Sequence, residues 1–424
     1  MFPSRRSAAA VAAGACLLLL PPLQTTVAAA GSPVQPDTAA PRDRAVYAVP
    51  NTDTAQRTEL ARTGALVLSA QGGTTTVEAT TEQAERLREA GYTLHKQSNV
   101  RTELARPEAE PAAVPSFPPE DSGYHTYREM VSEVDKAATD HTDVVARSSA
   151  GTSAEGRDIP AVKISDNAAK DETEPEVLFT CNQHAREHLT AEMCLHVVQR
   201  FTDDYGSDPT VTDMVDNREI WVVPMANPDG IVHDVATGQY RGWRRNRGQQ
   251  PTDLNRNWGH QWGCCDGSSG DPTSPTYRGS APFSAPETSA IRDFTNSRVI
   301  DGAQQITAHI DFHTFSELVL WPYGYTTSDS APGMTRQEYE RFARVGKEMA
   351  ATNGYTPQQS SDLYVTDGSV NDWMWAEHDV LSFTFEMYPG SGGIQGFYPP
   401  DEVIERETAR NDAAVDILLR EAGA

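Results

Sequence analysis

The sequence predicts an α/β protein: a mixed, twisted sheet of about eight strands with helices on both faces, preceded by a small ferredoxin-like unit. Three observations predict it. From Tyr124 onward, strand-like apolar runs alternate with helix-like stretches, the order that builds a sheet covered by helices. Before that, residues 45–97 read strand, helix, strand, strand, helix, strand, the ferredoxin-like order. His184, His313 and Glu386 each close a strand-like run, the place where open α/β sheets build their sites.

The elements follow in order. Residues 1–30 read as a secretory signal, with Arg5 and Arg6, an apolar run from Ala8 to Leu20, and Ala28-Ala29-Ala30 before Gly31. That run is too short to span a bilayer, and no other stretch qualifies. The expectation is an exported, soluble protein. Residues 31–44 read as a leader. Strands are expected at Ala45 to Val49, Ala65 to Ala70, Thr74 to Ala79 and Tyr92 to Lys96, and helices at Thr54 to Thr63 and Thr81 to Ala90. A unit of about fifty residues is marginal alone. Residues 98–120 carry Pro107, Pro111, Pro115, Pro118 and Pro119 among glutamates, an extended linker open to proteolytic maturation. The main domain is expected over residues 121–424. Its strands are expected at Val144 to Ser149, Ile159 to Ile164, Glu176 to Cys181, Glu219 to Met225, Gln305 to Phe312, Leu318 to Trp321 and Leu381 to Met387. Its helices are expected at Tyr124 to Ala138, Glu187 to Tyr205, Ala285 to Ser297, Arg336 to Thr352, Val370 to Glu377 and Glu402 to Glu421.

Composition sets bounds on function. With 424 residues and 38% hydrophobic content, the chain can bury a substantial core. A net charge of −25 argues against a nucleic-acid partner and for a solvated surface. Of five cysteines, Cys16 leaves with the signal. The remaining four allow three pairings, and an oxidising compartment favours bridges. Cys264 and Cys265 are adjacent, so they form either one vicinal bridge or two separate ones. The preferred pairing is Cys181 with Cys194 and Cys264 with Cys265.

The chemistry concentrates in Val177-Leu178-Phe179-Thr180-Cys181-Asn182-Gln183-His184-Ala185-Arg186-Glu187-His188. An apolar strand delivers His184 to a loop, and the first helical turn sets Glu187 beside it. A nitrogen and an oxygen donor three apart suit zinc, whose catalytic sites take three protein ligands and keep one position open. The third donor is expected to be His313, in Ile310-Asp311-Phe312-His313-Thr314-Phe315. A rival reading takes His184, Glu187 and His188 as a His-x-x-Glu-His endopeptidase motif, with Glu187 as base. Glu386 follows an apolar strand, where burial raises a carboxyl's pKa and makes it a usable base. Five arginines crowd residues 241–256 of an acidic protein. Guanidinium groups bind carboxylates in bidentate fashion and stabilise oxyanions. Tyr364 precedes a loop containing Gly368 and Ser369, which can close over a ligand.

Together these motifs resemble the zinc metallocarboxypeptidases of the pancreatic carboxypeptidase A/B type, nearest the secreted bacterial members, over roughly residues 120–420. That family is the well-known case of a two-histidine, one-glutamate zinc site. The resemblance implies one zinc held by His184, Glu187 and His313, with Glu386 as general base and acid. It implies that Arg244 polarises the scissile carbonyl and that Asn255 and Arg256 hold the terminal carboxylate. It places Tyr364 over the bound residue and Arg186 in the substrate groove. Asp253 would orient His184, and His188 would have no metal role. Cys181 and Cys194 match a bridge seen in some members. His313-Thr314-Phe315 departs from the commoner His-Ser-Tyr. In the family, the residue before the Asp-Trp pair floors the specificity pocket, aliphatic for apolar C-termini and acidic for Lys or Arg. Here it is Asn371, and broad cleavage with apolar residues favoured is expected. The resemblance also implies that residues 31–97 are a pro-region and that the enzyme acts on peptide C-termini. A monomer is expected, with no nucleic-acid partner given the acidic charge and no membrane partner given the lack of a spanning stretch. No motif specifies a calcium site. Alternatives are the zinc endopeptidase and a carboxypeptidase acting on cell-wall peptides.

Overall fold

In a computed structural model, residues 44–100, 104 and 114–423 are described. The expected signal at residues 1–30, the leader up to residue 43 and most of the expected linker lie outside the described residues.

The first unit joins β1 (Arg44–Pro50), β2 (Leu66–Gln71), β3 (Thr74–Thr80) and β4 (His95–Asn99) in the order β2-β3-β1-β4. The β1–β3, β1–β4 and β2–β3 pairs are all antiparallel. Helices Thr54–Arg62 and Thr81–Glu89 complete the ferredoxin-like order. Both helices start where the sequence dictates. Asp53 with Gln56, and Thr80 with Gln83, form capping boxes that satisfy the free N–H groups of the first turn.

The large sheet contains β5 (Val145–Thr152), β6 (Asp158–Ile164), β7 (Glu176–Cys181) and β8 (Glu219–Val223). A short hairpin, β9 (Val299–Ile300) and β10 (Ala303–Gln304), stands apart from it. The sheet continues with β11 (Ile306–Thr314), β12 (Leu318–Trp321), β13 (Thr356–Gln359) and β14 (Leu381–Met387). Its order is β13-β12-β14-β11-β7-β8-β6-β5. The central β7, β8, β11 and β14 run parallel. Helices Tyr127–Asp140, His188–Asp203, Arg336–Asn353 and Asp412–Ala422 bury one face, packing on Val177, Phe179, Ile310, Phe312, Phe383 and Phe385. Helices Pro286–Ser297 and Val370–His378 cover the other, with Leu178, Trp221 and Val223. Strands buried on both faces read as continuous apolar runs, which is why β7 is buried at all six positions.

Three expectations are corrected. The strand expected at Tyr92 to Lys96 is β4, His95–Asn99. Gly91 at φ 93° and the Tyr92 N–H bonded to Leu87 O instead close the preceding helix. The strand expected to end at Phe312 runs to Thr314, so His313 lies within it. The helix expected over Glu402 to Glu421 breaks into Ile404–Ala409 and Asp412–Ala422. There Asn411 donates its side-chain amide to Glu407 O, a local bond that competes with the helix ladder. The strand β13 had no expected counterpart.

Candidate metal centre and substrate cleft

The chain leaves β7 at Cys181 and turns immediately through Asn182, whose φ is 60°. Asparagine tolerates this left-handed backbone, and its side-chain amide donates to His184 O at 3.2 Å. The turn carries His184 back over the sheet end. Glu187 is the residue at which helix His188–Asp203 begins. His313 arrives from the neighbouring β11, one strand over. Two short pieces of backbone and one strand therefore set three donors. His184 Nδ1 lies 2.9 Å from Glu187 Oε1, and His313 Nδ1 lies 2.9 Å from Glu187 Oε2. The two Nδ1 atoms are 3.0 Å apart.

This arrangement fits a metal cation. The Nε2 of His184 faces Asp253 Oδ1 at 3.0 Å, and that of His313 faces Asp311 Oδ2. Each carboxylate accepts from an Nε2–H, which leaves both Nδ1 lone pairs bare. Two bare lone pairs and a carboxylate then converge on one buried point. Glu187 stays ionised there: burial pushes its carboxyl up, but His184 and His313 hold it well below the usual range. Two nitrogens and an oxygen are the donor set of catalytic zinc.

Asp253 also receives Arg244, whose Nε and Nη2 donate to Oδ2 at 3.1 and 3.0 Å. One buried carboxylate thus aligns both a ligand and a guanidinium. Burial raises the Asp253 carboxyl, and Arg244 and His184 override it, holding it far below the ordinary value. Glu386 sits across from His313 in the β11–β14 register. Its carboxyl is pushed up to about 8, chiefly by burial, with Glu187 and Asp311 adding to the rise. A cavity of about 70 Å³ is lined by His184, Glu187, Arg186, Arg244, Asn255, Arg256, Tyr364 and Glu386.

Arg256 Nη2 donates to Tyr364 Oη at 3.1 Å, and Asn255 Oδ1 accepts from Val370 N at 2.9 Å. The Tyr364 loop lies so close to this segment that a Cβ on Gly368, at φ 64°, would collide with Arg256 O. Phe315 is buried against Phe397, their ring centroids 4.9 Å apart. Arg186 stacks over Phe397 at 3.8 Å. Asn371 does not line this cavity. It is buried, with Nδ2 donating to Thr384 Oγ1 at 2.8 Å. His188 turns away from the three donors, its Nε2 bonded to Asp234 Oδ2 at 2.8 Å, so the His-x-x-Glu-His arrangement is not formed. Bridges join Cys181 to Cys194 and Cys264 to Cys265. The sequence reading missed Asp311, His309 and Thr180, buried polar groups behind His313. The signal for the first two is the period of two in His309-Ile310-Asp311-Phe312-His313, which puts all three polar side chains on one face of β11.

The first unit reaches this cleft. Leu66, Val67 and Leu68 of β2 line the same cavity. Glu78 pairs with Arg44 at 3.0 Å and with Arg186 at 3.4 Å. Arg57 donates to Leu363 O and Asp362 O at 2.6 and 2.7 Å, and Tyr364 packs into the unit's own apolar cluster.

Residues 130–414 match the family described as zinc carboxypeptidase. A zinc carboxypeptidase of Saccharothrix mutabilis subsp. capreolus is 48% identical, over 92% of this chain and 91% of that one. Carboxypeptidase A1 of Mus musculus is 32% identical over 65% of each chain. Among solved structures, carboxypeptidase A from Helicoverpa armigera superposes with a TM-score of 0.73 at 25% identity, covering 90% of this chain and 98% of that one.

Proposed function

Because this chain belongs to the zinc carboxypeptidase family and is a metallocarboxypeptidase, we propose that it is an exported precursor whose mature form cuts the last peptide bond of peptides and proteins. The observation that carries this reading is the convergence of His184, Glu187 and His313 on one point beside Glu386 and Arg244.

His184, Glu187 and His313 hold one zinc ion, which when bound activates a water and polarises the scissile carbonyl. Glu386 takes the proton from the attacking water and passes it to the leaving amine. A carboxyl whose pKa is raised by burial is matched to both tasks near neutral pH. Arg244, aligned by Asp253, offsets the negative charge that develops on the carbonyl oxygen. Asn255 and Arg256 bind the terminal carboxylate, and Tyr364 closes over the bound residue. An internal peptide segment offers no carboxylate, and a buried Arg256 left unpaired is a costly mismatch. Arg186 contacts the peptide upstream of the cut. Asn371, buried with its amide bonded to Thr384, brings no charge toward the cavity, which is consistent with broad cleavage that favours apolar residues.

The ferredoxin-like unit is read as a pro-region. Glu78 on Arg186 and Leu66 to Leu68 at the cavity support that role, and cleavage within residues 98–120 would release it. The signal-like residues 1–30 support secretion. Among the described residues no helix is long and apolar enough to cross a membrane. The acidic surface supports a partner set without nucleic acid, and the mature enzyme is read as a monomer.

The test is trimming of a peptide ladder by the matured enzyme, with and without a zinc chelator. Stepwise loss of C-terminal residues that the chelator abolishes is expected. Internal cuts, or trimming that a chelator leaves intact, defeat the reading. Matched blocked dipeptides ending in Phe and Arg test the pocket, and a strong preference for Arg overturns the forecast for Asn371.

A further inference from the structure

Behind His313 a row of polar side chains crosses the covered face of the sheet. Asp311 Oδ2 meets His313 Nε2 and accepts from Gln183 Nε2 at 2.6 Å, so the row running from Thr180 governs the other Asp311 oxygen. Thr180 donates to Asp311 Oδ1 at 2.6 Å. His309 Nε2 lies 2.8 Å from Thr180 Oγ1, and its Nδ1 lies 2.8 Å from Ser382 Oγ. Ser382 Oγ lies 3.1 Å from Asn371 Oδ1. Five of these residues are on adjacent β7, β11 and β14, where register sets Asp311 beside Thr180 and His309 beside Ser382. The whole row is buried: Thr180 is 1% exposed, Asn371 2%, and His309, Asp311 and Ser382 not at all. Polar groups in a core are costly without partners, and apolar side chains fill the opposite face of the same strands. Packing alone does not call for a histidine here.

We propose that His309 is a positioning residue for the zinc ligand His313: through Thr180 it sets the orientation and acceptor strength of Asp311, and so governs how tightly His313 holds the metal. This rests on the functional reading above.

Hydrogen counting supports it. From Asn371 to Asp311 there are four contacts. Asn371 Oδ1 and the Asp311 carboxylate only accept. Ser382 and Thr180 bring one hydrogen each, and a neutral imidazole brings one. Three hydrogens serve four contacts, so one contact lacks a hydrogen. Burial lowers the His309 pKa to about 4, which keeps the ring neutral near pH 7. The ionised Asp311 is the strongest acceptor in the row and retains its donors. Thr180 therefore points at Asp311, and His309 carries its hydrogen on Nε2 and points at Thr180. These bonds polarise one another toward the carboxylate. The contact without a hydrogen falls at Ser382, which can turn to His309 or to Asn371 but not both. His309 thus orders the side nearest the metal and leaves the far side loose.

The test uses the full chain, whose zinc dissociation constant is read by chelator competition and whose cobalt(II)-substituted form is read by its visible spectrum. His309→Phe fills the ring's volume and donates nothing. His309→Gln places an N–H where Nε2 stood. The inference expects His309→Phe to weaken zinc binding by about 10-fold, the low end for groups that orient a metal ligand, and to shift the cobalt bands. It expects His309→Gln to restore both. A purely structural role predicts the opposite order, because Phe matches the imidazole's volume better. If His309→Phe does not fold, Thr180→Val against Thr180→Ser makes the same comparison, with loss expected for Val and rescue for Ser. Equal zinc affinity and equal cobalt spectra across a folded pair overturn the inference. Failure of the unaltered chain to bind zinc would instead overturn the functional reading.

Discussion

Glu386 is the residue whose charge state has the most consequences. Its carboxyl is raised from 4.5 to about 8, first by burial. A group that binds its proton more tightly when folded stabilises the fold fully below its unfolded pKa and loses that contribution as pH rises through the folded one. In metal-free protein, the wild type should lose stability between pH 4.5 and about 8 relative to Glu386→Gln. Thermal melts in chelator at pH 5 and pH 9 check it, and parallel behaviour of the two proteins would refute the assignment. With zinc bound, the added positive charge draws the carboxyl down, and the gap should narrow. The same substitution should cut kcat by about 10²–10⁴-fold while zinc stays bound. His188 is the control. Its ring is committed to Asp234, so His188→Ala leaves a buried carboxylate short of a partner. A loss of about 1–3 kcal/mol in denaturant unfolding is expected, with zinc content measured at one ion per chain. Loss of the metal in a folded His188→Ala protein would restore the endopeptidase reading.

At the scale of elements, the site hangs on the junction of β7 with helix His188–Asp203. The Cys181–Cys194 bridge spans it, 13 residues apart in sequence. Closing a loop of that size is worth about 3 kcal/mol on a chain-entropy basis. The double variant Cys181→Ala with Cys194→Ala should unfold at lower denaturant by that order and still bind zinc, because no ligand is carried by the bridge. What was legible in the sequence follows from burial. The strands Glu176–Cys181, Leu318–Trp321 and Leu381–Met387 lie under helices, so each is an apolar run whose limits can be read directly. His184, just beyond the first of them, and Glu386, within the last, were legible with them. Edge strands lose that signal. His95–Asn99 is polar and mostly exposed, and Thr356–Gln359 contains Pro357, which sheets tolerate at an edge. Asp311 and His309 were legible as polar positions on one face of β11 but not as a network, for a different reason. They sit inside an apolar strand, and only the location of their partners Thr180 and Ser382 separates a hydrogen-bonded row from isolated polar residues. Asn371 was legible as a position but not as a contact, since its amide is drawn inward by Thr384 and Ser382.

For the whole molecule, the issue is how two folded units share one cleft. The first unit holds the main domain at several places, among them Glu78 on Arg186, the backbone of residues 362–363 against Arg57, Tyr364 in the unit's apolar cluster, and Leu66 and Leu68 packed with Phe315 and Phe397. Two of these contacts, to Arg186 and to Tyr364, fall on groups assigned to the substrate. Arg186 has two guanidinium nitrogens without partners, so Glu78 meets only part of its demand, and a peptide could meet more. Such a contact suits a reversible block better than a permanent clasp. Two outcomes follow. The full chain should cleave a blocked dipeptide ending in Phe far more slowly than the same protein nicked within residues 98–120 and freed of its first unit. Glu78→Gln should weaken the hold of the separated unit, raising its inhibition constant by about 10-fold, since a desolvated charge pair loses 1–3 kcal/mol when one partner is neutralised. Inhibition of the mature enzyme by the added unit, titrated in both forms, measures this directly. If the two forms inhibit equally, Glu78 is a passive neighbour of Arg186. If neither inhibits, the first unit is a folding or docking module rather than a guard of the cleft.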